Sequence, residues 1–135
     1  MNSAGNDYLH AVQHAVMDAL GIDRAEADPE ATLLGDLGAE SIDLLDILFR
    51  LERVSGVRIT VADIADLLQG GIPDAEFGDD NQVNHTGLTH LEKVLPQFDR
   101  GRLTEPLTPD GVLGLFTLRN LSDLLTSRTA MADAA

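Results

Sequence analysis

Between residues 41 and 54 the apolar positions fall into a helical rhythm. Leu44, Ile47, Leu48 and Leu51 recur at spacings of three and four. Residues so spaced share one face of an α-helix, so this stretch is predicted to be a helix with that stripe against a core. Gly38 and Gly56 stand just outside its ends. Residues 8–20 carry the same rhythm in Leu9, Val12, Val16 and Leu20, and Gly21 follows as a stop. A further helix is predicted over 61–68. Thr60 is its N-cap, Asp63 lies near its positive end and Gly70-Gly71 closes it. Residues 88–98 place Leu88, Leu91, Val94 and Leu95 on one face, with Pro96 ending or bending the helix. A final helix over 118–127 buries Leu118, Leu121, Leu124 and Leu125.

Between these helices the pattern breaks. Residues 22–40 hold Pro29, Gly35, Gly38 and many acids, and read as a long connection that Leu33, Leu34 and Leu37 pin to the core. A long ordered connection in a small domain is often functional. Residues 72–85 and 104–110 are turn-rich, and 109–115 reads as a short helical turn. The residues after Arg128 read as a frayed tail.

Length and composition narrow the picture. A chain of 135 residues implies one domain. Aromatics make up only 4% and Trp is absent, which favours packed aliphatic helices. Cysteine is absent, which removes disulfides, zinc–thiolate sites and catalytic thiols. No secretory leader and no span of about 20 apolar residues is evident, so a cytoplasmic protein without membrane insertion is expected. The net charge is −14, with ten acids and one base, Arg24, in residues 1–49. Such a field repels nucleic-acid phosphates and suits partners with basic docking patches.

The helix at 41–54 has a second feature. Ile42, Asp46, Phe49 and Arg53 fall opposite the core stripe, with Leu45 on the flank. Two large apolar residues facing outward, edged by acids, read as a docking surface; the alternative is that another segment, such as 72–105, covers them. Ser41 opens this helix. A hydroxyl there is exposed, and an attached phosphodiester would lie near free backbone N–H groups and the positive end of the dipole. The plainer reading of a serine at a helix start is an N-cap.

A resemblance separates these readings. Asp36-Leu37-Gly38-Ala39-Glu40-Ser41-Ile42-Asp43 resembles the phosphopantetheine attachment motif of acyl carrier proteins, with Glu40 for the usual Asp and Ile42 for the usual Leu. Leu45, Asp46, Ile47, Leu48, Phe49, Leu51 and Glu52 look like that family's second helix, Ile59 like the isoleucine after it, and residues 117–125 like its last helix. The resemblance covers 8–60 and 107–125.

The resemblance implies an all-α fold, an acyl-carrier-like four-helix bundle, here with an inserted helical and loop segment before the last helix. The implied organisation is one carrier domain over 1–128, an insertion at about 61–105 and a tail at 129–135. It implies 4′-phosphopantetheine joined covalently to Ser41 by a phosphopantetheinyl transferase, with acyl groups carried as thioesters. The chain is then a carrier and not an enzyme, serving fatty-acid or specialised lipid synthesis. Acyl-loading and acyl-transfer enzymes would dock on Glu40, Ile42, Asp43, Asp46, Phe49 and Glu52. A monomer is expected. Arg53 lies where many carriers have an acid, which points to a different choice of partner. The insertion is expected to reshape the acyl pocket or add a partner surface. A carrier of aminoacyl or polyketide intermediates and an unmodified helical interaction protein are the competing readings.

Other candidate sites are weaker. His10 and His14 have i, i+4 spacing without a third ligand, and His85 and His90 are spaced worse, so no metal site is expected. Residues 74–81 are acidic but lack the glycine and closing Glu of a calcium loop.

Overall fold

The apolar stripes become helix contacts. In the computed structural model, which describes residues 4–79 and 82–134, the first helix is α1 (Ala4–Leu20) and the strongest stripe lies on α2 (Ser41–Ser55). All four residues of that stripe, Leu44, Ile47, Leu48 and Leu51, are buried. Four further α-helices follow among the described residues: α3 (Val61–Gln69), α4 (Asp74–Phe77), α5 (His85–Val94) and α6 (Leu118–Ala134). Among the described residues the fold is all-α, as the resemblance implies.

The chain forms two compact units, 1–61 with 116–135, and 62–115. In the first, α1 packs against both α2 and α6. Its core holds Val12 and Val16 of α1, the α2 stripe, Ile59, and Leu118, Leu121, Leu124 and Leu125 of α6. Leu9 and Leu20, expected on the same face of α1, are only half-buried. Gly21 ends α1 at φ 68°, a left-handed turn that favours glycine. Helix α6 runs on through residues 128–134, beyond the end expected at 127. Alanine and methionine sustain a helix there without an apolar stripe.

The connection 22–40 is ordered by contacts with residues far along the chain. Leu33 is fully buried, and its N–H donates to the Phe116 carbonyl at 3.1 Å. Leu118 and Arg119 donate their N–H groups to the carbonyls of Ala31 and Pro29 at 3.2 and 2.9 Å. The buried Gln13 side chain donates to the Ala27 carbonyl at 2.9 Å. The Arg119 guanidinium pairs with Glu30. Leu34 and Leu37, expected as pins beside Leu33, are half-buried.

The second unit is more ordered than a run of turns. Residues 72–85 include the single-turn α4, and a β-bridge joins Gly78 to Val83. Phe77 and Val83 are buried and explain the order. Asp80 and Asn81, part of the acidic loop read from the sequence, lie outside the described residues. Helix α5 begins at His85, earlier than its apolar pattern indicates, because the Asn84 side chain accepts the Gly87 N–H at 3.1 Å and caps it. It stops at Val94, two residues before Pro96. Arg100 ties the chain beyond α5 back to it. Its guanidinium donates to Thr89 Oγ1 at 2.7 Å and Glu92 Oε1 at 3.0 Å, and its backbone N–H donates to Glu92 Oε2 at 3.1 Å.

Two expectations follow. Leu33→Ala removes a fully buried side chain at the point where the connection meets Phe116, and should lower the unfolding free energy by about 2–5 kcal/mol in urea. The hydrogen bonds from Arg100 hold Glu92 below the ordinary glutamate pKa. A carboxylate with a depressed folded pKa stabilises above its unfolded pKa and loses that contribution as pH falls through the folded value. Wild type should therefore protect the α5 amides from hydrogen exchange better than Glu92→Gln at neutral pH. The difference should vanish on acidification below the carboxylate range.

Candidate functional site at the start of helix α2

The connection delivers the chain to α2 through a tight local lattice. Asp36 accepts the Thr32 N–H at 2.9 Å and returns its own N–H to Thr32 Oγ1 at 2.8 Å. The Ala39 N–H donates to the Leu33 carbonyl at 2.9 Å, and Ala39 is buried. Gly38 takes φ 68°, the left-handed conformation that this turn requires. The chain emerges at Glu40, which is extended and is the N-cap of α2. Asp43 accepts the Glu40 N–H at 2.9 Å in a capping box.

This arrangement changes the reading of Ser41. The cap position is held by Glu40, so Ser41 is the first residue inside the helix. Its side chain is exposed, and its hydroxyl has no hydrogen-bond partner among the described residues. The N–H groups of the first helical turn point the same way as the positive end of the helix dipole, and that end favours an attached anion by about 0.3–1 kcal/mol. The site fits a phosphodiester: a reachable oxygen, space around it and favourable backbone polarity. The capping-box spacing from Glu40 to Asp43 was present in the sequence, and it carries the distinction between a cap and a free hydroxyl.

The expected docking residues divide by what holds them. Ile42 and Phe49 are 72% and 59% exposed, and Leu45 joins them at 57%. Val54, not singled out in the sequence, is 69% exposed on a different side of the helix, beside Ala11 and Ala15 of α1. Glu40 is exposed, while Asp43 is half-buried in the cap. Asp46 pairs with Arg50 at 3.0 Å, and Glu52 pairs with Arg58 at 3.2 Å. The histidines go to separate places: His10 is exposed, His14 meets the Arg24 guanidinium at 3.4 Å, His85 meets Arg100 at 2.8 Å, and His90 meets the Leu67 carbonyl at 3.0 Å. Among the described residues no three His, Asp or Glu side chains converge as a metal site. No helix among them is long and apolar enough to cross a membrane.

Comparison with known proteins gives this geometry its class. The phosphopantetheine attachment site family matches residues 10–69, a range that contains the later part of α1, the connection, α2 and α3. That defines a phosphopantetheine-bearing carrier region. An acyl carrier protein of Solidesulfovibrio magneticus is 40% identical over 52 residues, which cover 38% of this chain and 67% of that one. One of Nitratidesulfovibrio vulgaris is 38% identical over 58 residues, covering 43% of this chain and 76% of that one. One of Thermotoga maritima is 38% identical over 53 residues, covering 39% and 65%. No solved structure matches. The chain belongs to the acyl carrier protein family: it is a phosphopantetheine carrier and not an enzyme, and its helical structure agrees with the bundle of that family.

The cap is testable apart from the cofactor. Asp43→Ala removes the carboxylate that accepts the Glu40 N–H, and should cost about 1 kcal/mol in urea unfolding. Ser41→Ala, which removes no hydrogen bond seen in the chain, should leave the urea midpoint unchanged.

Proposed function

We propose that Ser41 carries the phosphopantetheine arm, and that the chain shuttles acyl groups as thioesters for fatty-acid or specialised lipid synthesis in the cytoplasm. The observation that carries the assignment is the exposed Ser41 hydroxyl, unpartnered among the described residues, on the first turn of a helix that Glu40 caps. In the loading reaction the serine oxygen forms a bond to the phosphate that bears the pantetheine arm. The phosphoanhydride bond of coenzyme A breaks, adenosine bisphosphate leaves, and the serine proton passes to a base on the transferase. The arm supplies a terminal thiol to a chain that has no cysteine of its own.

Ser41 is a modified residue in this scheme and takes no part in turnover. Its neighbours meet the enzymes. Ile42, Leu45 and Phe49 give short-range apolar contact, and Glu40, Asp43, Asp46 and Glu52 meet basic groups on the transferase and the acyl-handling enzymes. Exposed charge pairs contribute about 0–1 kcal/mol each and weaken with salt, which suits a shuttle that must leave each partner. The carrier works as a monomer. The insertion at about 61–105 overlaps a compact unit, 62–115, whose first helix, α3, lies within the family match.

Incubation with coenzyme A and a broad-specificity phosphopantetheinyl transferase, read by intact mass, tests the attachment. One arm should be added to wild type and none to Ser41→Ala. No mass gain, or a gain that persists in Ser41→Ala, would refute the assignment.

A further inference from the structure

Helix α2 is charged in order. Its first turn holds Asp43 and its last turn Arg53. Between them Asp46 and Arg50 pair at 3.0 Å and cancel, and Glu52 is taken up by Arg58 at 3.2 Å. Arg53 is exposed and has no ion pair among the described residues. The outer surface of α2 is therefore acidic at the Ser41 end and basic at the other, although the chain as a whole carries −14. The apolar strip Ile42, Leu45, Phe49 runs along the first half of this surface, and all three residues are more than half exposed.

The basic end opens onto a groove of about 570 Å³ between α1 and α2. Arg50, Arg53 and Val54 form one wall, and Ala11, His14, Ala15 and Asp18 lie on the other, so one acid faces the two arginines. The small side chains of Ala11 and Ala15 leave room beside the two guanidinium groups. A carboxylate matches the Arg53 end of this wall, where Val54 is its apolar neighbour.

We infer that Arg53, the cation of α2 left unpaired among the described residues, selects the acyl-transfer partner. The far half of α2 turns away a docking face that is uniformly basic. It accepts one that is basic beside the arm and acidic at the far end. Asp43 and Arg53 are ten residues apart, so the two halves of the partner's face are separated by about 15 Å along the helix. The inference rests on the assignment of the arm to Ser41. Opposed like charges discriminate between partners as effectively as matched charges attract them.

The test uses the full chain, loaded with the arm and checked by intact mass before use. The probe is a purified bacterial malonyl-CoA transacylase with a basic docking face. In the assay the arm's thiol attacks the malonyl thioester, and coenzyme A leaves as its thiol. Arg53→Glu should raise kcat/KM about fivefold at low ionic strength, and Arg50→Glu with Arg53→Glu about tenfold. The change should lie in KM, should be smaller for Arg53→Gln, and should fade near 1 M salt. Arg102→Glu alters the net charge equally but lies outside α2, and should raise the rate by clearly less than Arg53→Glu. A wild-type rate in Arg53→Glu, a lower rate, or an equal gain from Arg102→Glu would overturn the inference and leave the arm assignment standing. Failure to gain the arm at Ser41 would end both.

Discussion

The connection between α1 and α2 must hold Ser41 at the surface while its own backbone polar groups find partners. A buried amide without a partner costs about 1–3 kcal/mol, so a connection of this length needs many of them. It finds them at the start of α6. Leu33 bonds to Phe116, Ala31 to Leu118 and Pro29 to Arg119, and Gln13 closes the other side through Ala27. Leu33 and Ala39 are buried, and after Ala39 the chain emerges at Glu40. That exit places Glu40 at the cap and Ser41 one residue inside the helix. The position of the hydroxyl thus depends on hydrogen bonds to residues more than eighty positions away.

This explains what the sequence shows and what it hides. The α2 stripe and the α6 face were legible because periodic burial is a local property of a helix. All four apolar residues named on each of them are buried. Local rhythm was a poorer guide at helix ends. The start of α5 is polar and depends on Asn84, and the end of α6 is small and aperiodic. The single turn α4 is too short to show a period at all. The anchoring of the connection was hidden for a different reason: Gln13 meets Ala27, and Leu33 meets Phe116, across long stretches of sequence, and no short window contains both sides.

At the site, the chemistry was legible only through resemblance, because a serine at a helix start has several uses. The structure adds a physical distinction. A capping serine spends its oxygen on the backbone, whereas here two carboxylate residues, Glu40 and Asp43, do the capping. The acids near Ser41 are thereby committed in part to the fold. The same holds farther along α2, where Asp46 and Glu52 face arginines of the same chain. A count of acids overstates the negative surface offered to a partner.

That difference between formal charge and available charge matters most for a carrier. Long-range attraction follows the net charge of −14 and brings basic partners close at low salt. Short-range fit follows the few charges that are not already paired, and on α2 the outstanding one is Arg53. The two requirements oppose each other for a uniformly basic partner, which is drawn in by the whole chain and resisted at the far end of the helix. They agree for a partner of mixed charge. An apolar strip as exposed as Ile42, Leu45 and Phe49 would bind many surfaces indifferently. The charge order along its edge gives such a strip direction, so that the arm at Ser41 enters the partner and the arginines lie away from it.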